Sequence, residues 1–427
     1  MVDTTPKLTL LSISERISLY ERYILTAGIL RVAVVGGGIG GLATGLALSR
    51  YGIDVGVYEQ APALGEVGAG LQMTPNSLRL FDRLGLGDQL REVGARLSPE
   101  HSMYYRMDGT PIAPVLTTDS TGHNLIYGMH RADLVNVLAG AIPPGVVHTG
   151  HRCTSVRRSA DVLHLSFDNG ATCEADVVVA ADGIHSSLRR QIAEPASPVN
   201  SGSVAYRGLL PASKVPSWPT DRSEFWMGVG KHLLVFPVRA GSLINYVGFV
   251  HSDVQARESW SAPGDPGTLA REFSGWDPRI EALLTSIEST FWWGLYDREP
   301  LRRWTDGRLT LLGDAAHPML PHLGQGANQS IEDAFALSVF LAGATPETAP
   351  ARLQEYETLR RPRTTAVQAG ARANGLRYDS RYEDLRVRDA EFEAVRTFRL
   401  SLYDYDVEEA AQWILEHRSD RLLEGSS

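Results

Sequence analysis

Leu30-Arg31-Val32-Ala33-Val34-Val35-Gly36-Gly37-Gly38-Ile39-Gly40-Gly41 is the stretch on which the fold turns. An apolar, β-branched run halted by glycine reads as a buried parallel strand. Gly36, Gly38 and Gly41 then satisfy G-x-G-x-x-G. In that pattern the glycines permit a tight turn, close approach of a pyrophosphate, and packing of helix on strand. The following helix, expected over Ile39–Tyr51, offers N–H donors to phosphate at its start. Val55–Tyr58 reads as a second strand, completing a βαβ unit. Glu59 follows it, 18 positions after Gly41, near the roughly 20-residue offset of an acid that binds ribose hydroxyls. A lone Gly-rich turn is weak evidence; strand, turn, helix and acid together indicate a bound dinucleotide, without separating NAD from FAD.

The bulk properties bound the rest. With 427 residues, 43% hydrophobic and 21% charged, the chain has the composition of a globular protein able to form two sub-domains. A net charge of −9 disfavours nucleic acid as a partner. Lys occurs only at Lys7, Lys214 and Lys231, so arginine supplies nearly all the positive charge. Cys153 and Cys173 form neither a CxxC pair nor a metal-ligand spacing, so no metal is expected and a reducing cytoplasm fits. No apolar run approaches the roughly 18 residues of a membrane span. Residues 1–29 carry scattered charges without an apolar core of a secretory signal; they are expected to be an extension without a functional part.

The fold class expected is α/β: a Rossmann-like dinucleotide-binding domain, a mixed β-sheet substrate domain, and C-terminal helices. The expected division assigns 30–75, 100–195 and 290–345 to the cofactor domain, 76–99 and 196–289 to the substrate domain, and 346–427 to a helical segment. The substrate sheet is read from four successive strand patterns, Ser203–Leu210, Glu224–Val229, Leu233–Val238 and Leu243–Val250. Arg131–Ala139 reads as a helix. Pro195–Ser201 and Ser261–Gly267 have linker composition.

Two further motifs sit at expected strand ends. Asp182-Gly183-Ile184-His185-Ser186-Ser187-Leu188-Arg189 follows Val177–Ala181, and Ser186 has the character of a helix cap. Gly313-Asp314-Ala315-Ala316-His317-Pro318 follows Arg308–Leu312 and continues through Pro321-His322 to Gly324-Gln325-Gly326-Ala327-Asn328. Any one is compatible with a simple turn; three at strand ends of one open sheet converge on one crevice. In this order they resemble the group A flavin monooxygenases, the p-hydroxybenzoate hydroxylase-like family. The likeness spans about Leu30 to Leu341 and is nearest to the salicylate and 3-hydroxybenzoate hydroxylase branch. Gly65–Gln72, His130–Leu134, Ala205–Gly208 and Tyr296–Pro300 support it.

That resemblance implies non-covalent FAD, NADH or NADPH as a transient reductant, and dioxygen with a small phenolic aromatic acid as substrates. A flavin hydroperoxide would hydroxylate the ring. Gly36, Gly38, Gly41 and Glu59 would hold the ADP half of FAD, and Arg131 the ribityl–pyrophosphate region. Asp182 would lie between the flavin and nicotinamide sites, and Asp314 on the ribityl hydroxyls. The backbone from Gly324 to Asn328, with Gly326, Ala327 and Asn328 as cofactor contacts, would face the pyrimidine edge of the flavin. The protein is expected as a monomer or homodimer. A nicotinamide-only dehydrogenase would not need the second and third motifs. A FAD-dependent reductase of the same fold, or a flavoprotein without hydroxylase activity, stays open.

Electrophilic hydroxylation needs an electron-rich ring, so a base for the phenol proton is useful, and His titrates in the right range. His322, beside the third motif, and His232, at the start of a substrate-sheet strand, are the candidates, against the plain alternative of histidines satisfied by neighbouring backbone. His317 belongs to the general motif and is assigned a structural role. Arg207 suits a substrate carboxylate or phenolate, or an ion pair under the flavin. Phe236 stands where some relatives carry Tyr. Trp226, Trp292 and Trp293 are either pocket walls or core.

Overall fold

The computed structural model describes residues 29–65, 69–159, 161–194, 197–252, 262–379 and 384–418. Residues 1–28, the Glu66-Val67-Gly68 part of a supporting segment, and Pro195 and Ser261 of the expected linkers lie outside them.

The opening strand, Arg31–Val35, is the hub of a six-stranded sheet. The order runs Thr305–Asp306, Leu309–Leu311, Val177–Ala180, Arg31–Val35, Asp54–Tyr58, Val147–His148. All neighbours pair parallel except the Thr305–Asp306 edge. In register, Val35 lies beside Ala180 and Tyr58, and Ala180 beside Leu311. Three chain reversals therefore leave the same carboxyl edge, at Gly36, Ala181 and Leu312. The central strands Arg31–Val35, Val177–Ala180 and Leu309–Leu311 are buried almost throughout, which is why they read as apolar runs. Helices Ile39–Arg50 and Gly326–Leu341 pack together on this sheet, and the antiparallel strands Cys153–Arg158, Leu163–Phe167 and Thr172–Ala175 form a separate sheet.

The second large sheet has eight strands, centred on Val199–Pro211, Leu243–His251 and Lys231–Val238. It is mixed: Glu224–Gly228 pairs antiparallel with Lys231–Val238 and parallel with Met103–Arg106. The sheet membership corrects the expected boundaries. Met103–Arg106 and Thr290–Asp297, assigned by sequence to the cofactor domain, are strands of this second sheet. Conversely, helices Pro75–Arg83 and Gly87–Val93, assigned to the substrate domain, bury Leu78, Leu80, Phe81 and Leu90 in the first core. The chain crosses between layers several times, and local periodicity carries no record of which layer an amphipathic segment joins. The linker-like stretches are also structured. Val199–Ser201 begins a strand, and Asp265 caps helix Pro266–Glu272 by accepting from the N–H groups of Gly267 and Thr268. Proline and glycine there mark a helix start and not a boundary.

Beyond residue 345 the described chain is helical, as composition predicts: Ala349–Tyr378, Leu385–Ala390, Phe392–Tyr403 and Val407–Glu416. The 30-residue helix Ala349–Tyr378 spans about 45 Å. Its Leu353 and Tyr356 join the first core, and its Val367 and Ala371 join a core beside the second sheet. It fastens the two layers together. Among the described residues no helix is long and apolar enough to cross a membrane.

Candidate active site

The glycine turn is built as the sequence requires. Gly36 has φ +112°, and a Cβ there would lie 2.3 Å from the Ala181 carbonyl oxygen. A Cβ on Gly41 would sit 1.9 Å from the Gly36 oxygen. Gly38 differs: its φ is −72° and nothing lies within 4 Å of its added Cβ. Neither backbone nor packing demands glycine at 38, yet it borders a cavity, which is what an absent phosphate would require. The residues present thus fit a bound dinucleotide. Glu59 accepts from Gly37 N–H at 2.6 Å and Ala61 N–H at 2.8 Å, bracing the turn.

The second and third motifs are tied together by Arg189. This buried side chain donates from Nε to the Ala315 oxygen (2.6 Å) and from Nη2 to the Asp314 oxygen (2.7 Å). It also donates from Nη1 to the Ile184 oxygen at 3.1 Å. One guanidinium thereby satisfies carbonyls of both turns. Ser186 Oγ accepts from Arg189 N–H (3.0 Å), but the residue at the cap position of the short helix Leu188–Gln191 is Ser187 and not Ser186. Asp182 accepts at Oδ2 from the N–H of Ser187, while its buried Oδ1 has no partner among the described residues.

Behind the third motif lies a buried charge network. Asp333 accepts from Gly313 N–H (3.0 Å) and Arg360 Nε (2.7 Å) and contacts His317 Nε2. Glu332 accepts from Asn76 (2.6 Å) and Arg363 (2.7 Å), and pairs with Arg360. Burial alone would raise the Asp333 pKa, but His317 and Arg360 hold it at about 2. His317 is structural, as expected.

One cavity of about 600 Å³ runs from the glycine turn into the second sheet, well inside the range for a cofactor plus small ligand. Of the sequence-derived candidates, Gly38, Arg131, Arg207, His232, Asp314, His322, Gly326 and Ala327 line it. Gly36, Gly41, Glu59 and Asp182 support its rim from behind. Asn328 does not reach it, contrary to expectation. Its buried amide donates to the Gln72 and Gly324 oxygens, and its Oδ1 accepts from Thr74 N–H and from Ser77. It holds a neighbouring strand to the helix start, so only the backbone end of the motif faces the cavity. Trp293 lines the cavity too, whereas Trp226 and Trp292 belong to the second core.

At the far end His232 stacks on Phe249 (ring centroids 4.2 Å, 14°). Its Nδ1 lies 2.6 Å from Asp379 Oδ1. Asp379 is the C-cap of helix Ala349–Tyr378, where the helix dipole disfavours a carboxylate and favours a cationic partner. The His322 ring is 5.3 Å from that of His232 and packs on Gly375, where a Cβ would come within 2.6 Å of its Cδ2. Burial, with a smaller push from His232, drives His322 down to about 3, and Asp379 opposes this. Its Nδ1 has no partner among the described residues. His322 is therefore a neutral ring with an open nitrogen. The alternative of a backbone-satisfied histidine holds for neither ring. Sequence reading missed Asp379, Tyr378 and Arg399, which carry no motif, and gave no role to Arg189, which stood inside one.

Comparison with known proteins agrees with this architecture. Residues 30–371 match the family described as FAD binding domain. The chain is 40% identical over 349 residues to a 3-amino-4-hydroxybenzoate 2-monooxygenase of Streptomyces platensis, covering 81% of this chain and 87% of the relative. It is 35% identical over 384 residues to a salicylate hydroxylase of Pseudomonas putida, covering 82% and 87%. A salicylate hydroxylase solved with substrate superposes with a TM-score of 0.78 at 29% identity, covering 90% of this chain and 97% of that one. The chain therefore belongs to the FAD binding domain family, among its aromatic-ring monooxygenases.

Proposed function

We propose that this protein hydroxylates a small phenolic aromatic acid, using FAD, NADH or NADPH, and dioxygen. One observation carries the reading: one continuous cavity joins the dinucleotide turn at Gly38 to a pair of buried histidines. A ring held there would share that space with the flavin. The relatives' names, aminohydroxybenzoate, salicylate and 3-hydroxybenzoate hydroxylases, all specify hydroxylated aromatic acids. Overall, one oxygen atom enters the ring and the other leaves as water, with two electrons from the nicotinamide.

When bound, FAD supplies hydride acceptance and oxygen activation; this chain supplies the rest. The backbone of 36–41 and the first turn of Ile39–Arg50 hold the pyrophosphate, with Glu59 on the ribose and Arg131 on the phosphate side. Asp314 binds the ribityl hydroxyls, and Asp182 borders the route of the nicotinamide. The N–H groups at Gly326–Ala327 stabilise negative charge on the flavin ring. His232, whose Nδ1 lies 2.6 Å from Asp379 Oδ1, takes the phenol proton, while neutral His322 accepts a hydrogen bond and orients the ring. Phe236, Phe249 and Trp293 exclude water, which limits unproductive release of peroxide. Arg207 lies 4.9 Å from the Trp293 ring centroid and is placed as a wall of the same space.

The test is nicotinamide oxidation together with product analysis over a panel of phenolic and heteroaromatic acids. Hydroxylated product matching nicotinamide consumed is expected for at least one acid. Oxidation that yields only peroxide with every member would overturn the reading.

A further inference from the structure

Arg399, on helix Phe392–Tyr403, is 3% exposed, yet its side chain borders the cavity. Its Nη1 donates to the Tyr403 hydroxyl (3.0 Å) and its Nη2 to the Tyr378 hydroxyl (3.2 Å). Its buried Nε has no partner among the described residues. The other buried guanidiniums of the C-terminal helices meet carboxylates: Arg360 meets Glu332 and Asp333, and Arg388 meets Asp389. Among the described residues the side-chain partners of Arg399 are hydroxyls and no carboxylate, and burial pushes the nearby Tyr104 hydroxyl pKa up, away from ionisation. A guanidinium remains charged at any working pH, and a buried charge without a counter-ion is costly. The arrangement is stable in function if the missing anion arrives from the cavity.

The position suits that role. Tyr378, which Arg399 holds, packs 5.1 Å from the His232 ring. The guanidinium thus stands one side chain away from the group assigned to the phenol proton.

We propose that Arg399 is the carboxylate anchor of the substrate site, and that it selects aromatic acids over the corresponding uncharged phenols. This rests on the function proposed above and names the group that sets its substrate class. A substrate carboxylate would complete the ion pair through Nε and the fork, fixing the ring with its hydroxyl toward the histidines. Arg207 and Arg131 also border the cavity but come from other elements, strand Val199–Pro211 of the second sheet and the start of helix Arg131–Ala141.

The experiment uses the FAD-loaded enzyme and reads binding alone. Salicylate, 3-hydroxybenzoate and phenol are titrated while the flavin absorbance change is followed, for the wild type, Arg399→Gln, Arg399→Lys and Arg207→Gln. Wild type should bind one of the acids at least about 10-fold tighter than phenol. Arg399→Gln should weaken the acid about 10- to 100-fold and leave phenol within about 3-fold, the size expected for a charge-assisted contact. Arg399→Lys should recover part of the preference, which a merely structural loss would not do, and flavin content reports whether each variant is folded. An unchanged preference in Arg399→Gln, its loss only in Arg207→Gln, or a wild type that binds acids no better than phenol, each overturns the inference. These outcomes are independent of turnover. An enzyme that binds acids through Arg399 but makes no hydroxylated product overturns the functional proposal and spares the anchor.

Discussion

The two ends of the cavity are built in opposite ways. The flavin end comes from three short sequence motifs at the edge of one parallel sheet, each stiffened by its own backbone contacts and cross-linked by Arg189. The substrate end comes from residues scattered across 232, 322, 379 and 399, brought together by one sheet strand, a turn and two helices. The first end is rigid and chemically general, with Asp182 Oδ1 left for a ligand. The second holds two buried nitrogens without a partner among the described residues, Nδ1 of His322 and Nε of Arg399, that a specific ligand would complete.

The contrast can be broken most sharply at the charge network behind the flavin end. Arg360→Met would leave Glu332 and Asp333 buried with one cation fewer, and should destabilise the fold by about 3–5 kcal/mol in denaturant unfolding. A loss under about 1 kcal/mol would mean that the network does not brace the third motif. At the other end, His232→Asn should lower kcat by about 10²- to 10³-fold while flavin content stays constant. Asp379→Asn should follow in direction and move the acid limb of the pH profile. If both variants keep the wild-type profile, the proton goes elsewhere.

Acid should separate the two ends by pH. His322 lies at about 3 when folded against about 6.5 unfolded, so the unfolded chain binds the proton first. That contribution to stability is present above about pH 6.5 and drains away as pH falls toward 3. Asp333 is held at about 2 against 3.8; its share, roughly 2 kcal/mol, survives until pH drops below about 4. Unfolding midpoints of His322→Gln should therefore be flatter between pH 6 and 4 than those of wild type. Asp333→Asn should be altered only below that window, over a background of lower stability. Identical pH slopes for all three proteins would erase the distinction.

The smallest effect sharpens the comparison within the glycine turn. Gly38→Ala should change the stability of the flavin-free protein by no more than about 1 kcal/mol, yet weaken FAD binding about tenfold or more, because its methyl group enters the open space. Gly36→Ala, against the Ala181 oxygen and at positive φ, should cost more in stability than Gly38→Ala does. Equal costs would show that Gly38 is a packing residue and not a cradle.

Legibility followed the range of the causes. Gly36, Gly38 and Gly41 act on atoms a few residues away, so their spacing announced them. His232 and His322 were found because a phenolic substrate needs a base, and His322, beside the third motif, was placed ahead of His232. Asp379, 147 positions from His232 yet 2.6 Å from its Nδ1, could not be read from the sequence, and neither could the burial that makes His322 neutral. The backbone reading from Gly324 to Asn328 ran one residue too far: Gly324 to Ala327 line the cavity and Asn328 does not, because motif spacing does not show where the helix turns its backbone away. Helix Pro75–Arg83 and strand Thr290–Asp297 were assigned to the wrong layer because both layers accept amphipathic segments.

By itself the sequence determined the parallel sheet, the dinucleotide turn and the helical end of the chain, because strand periodicity, glycine sterics and helix composition are set by near neighbours. The tertiary structure alone decided that Asp379 meets His232, what Arg189 joins, and where Arg399 meets the cavity. Those depend on burial and on charges distant in the chain, which exist only once the two layers and the long helix have packed.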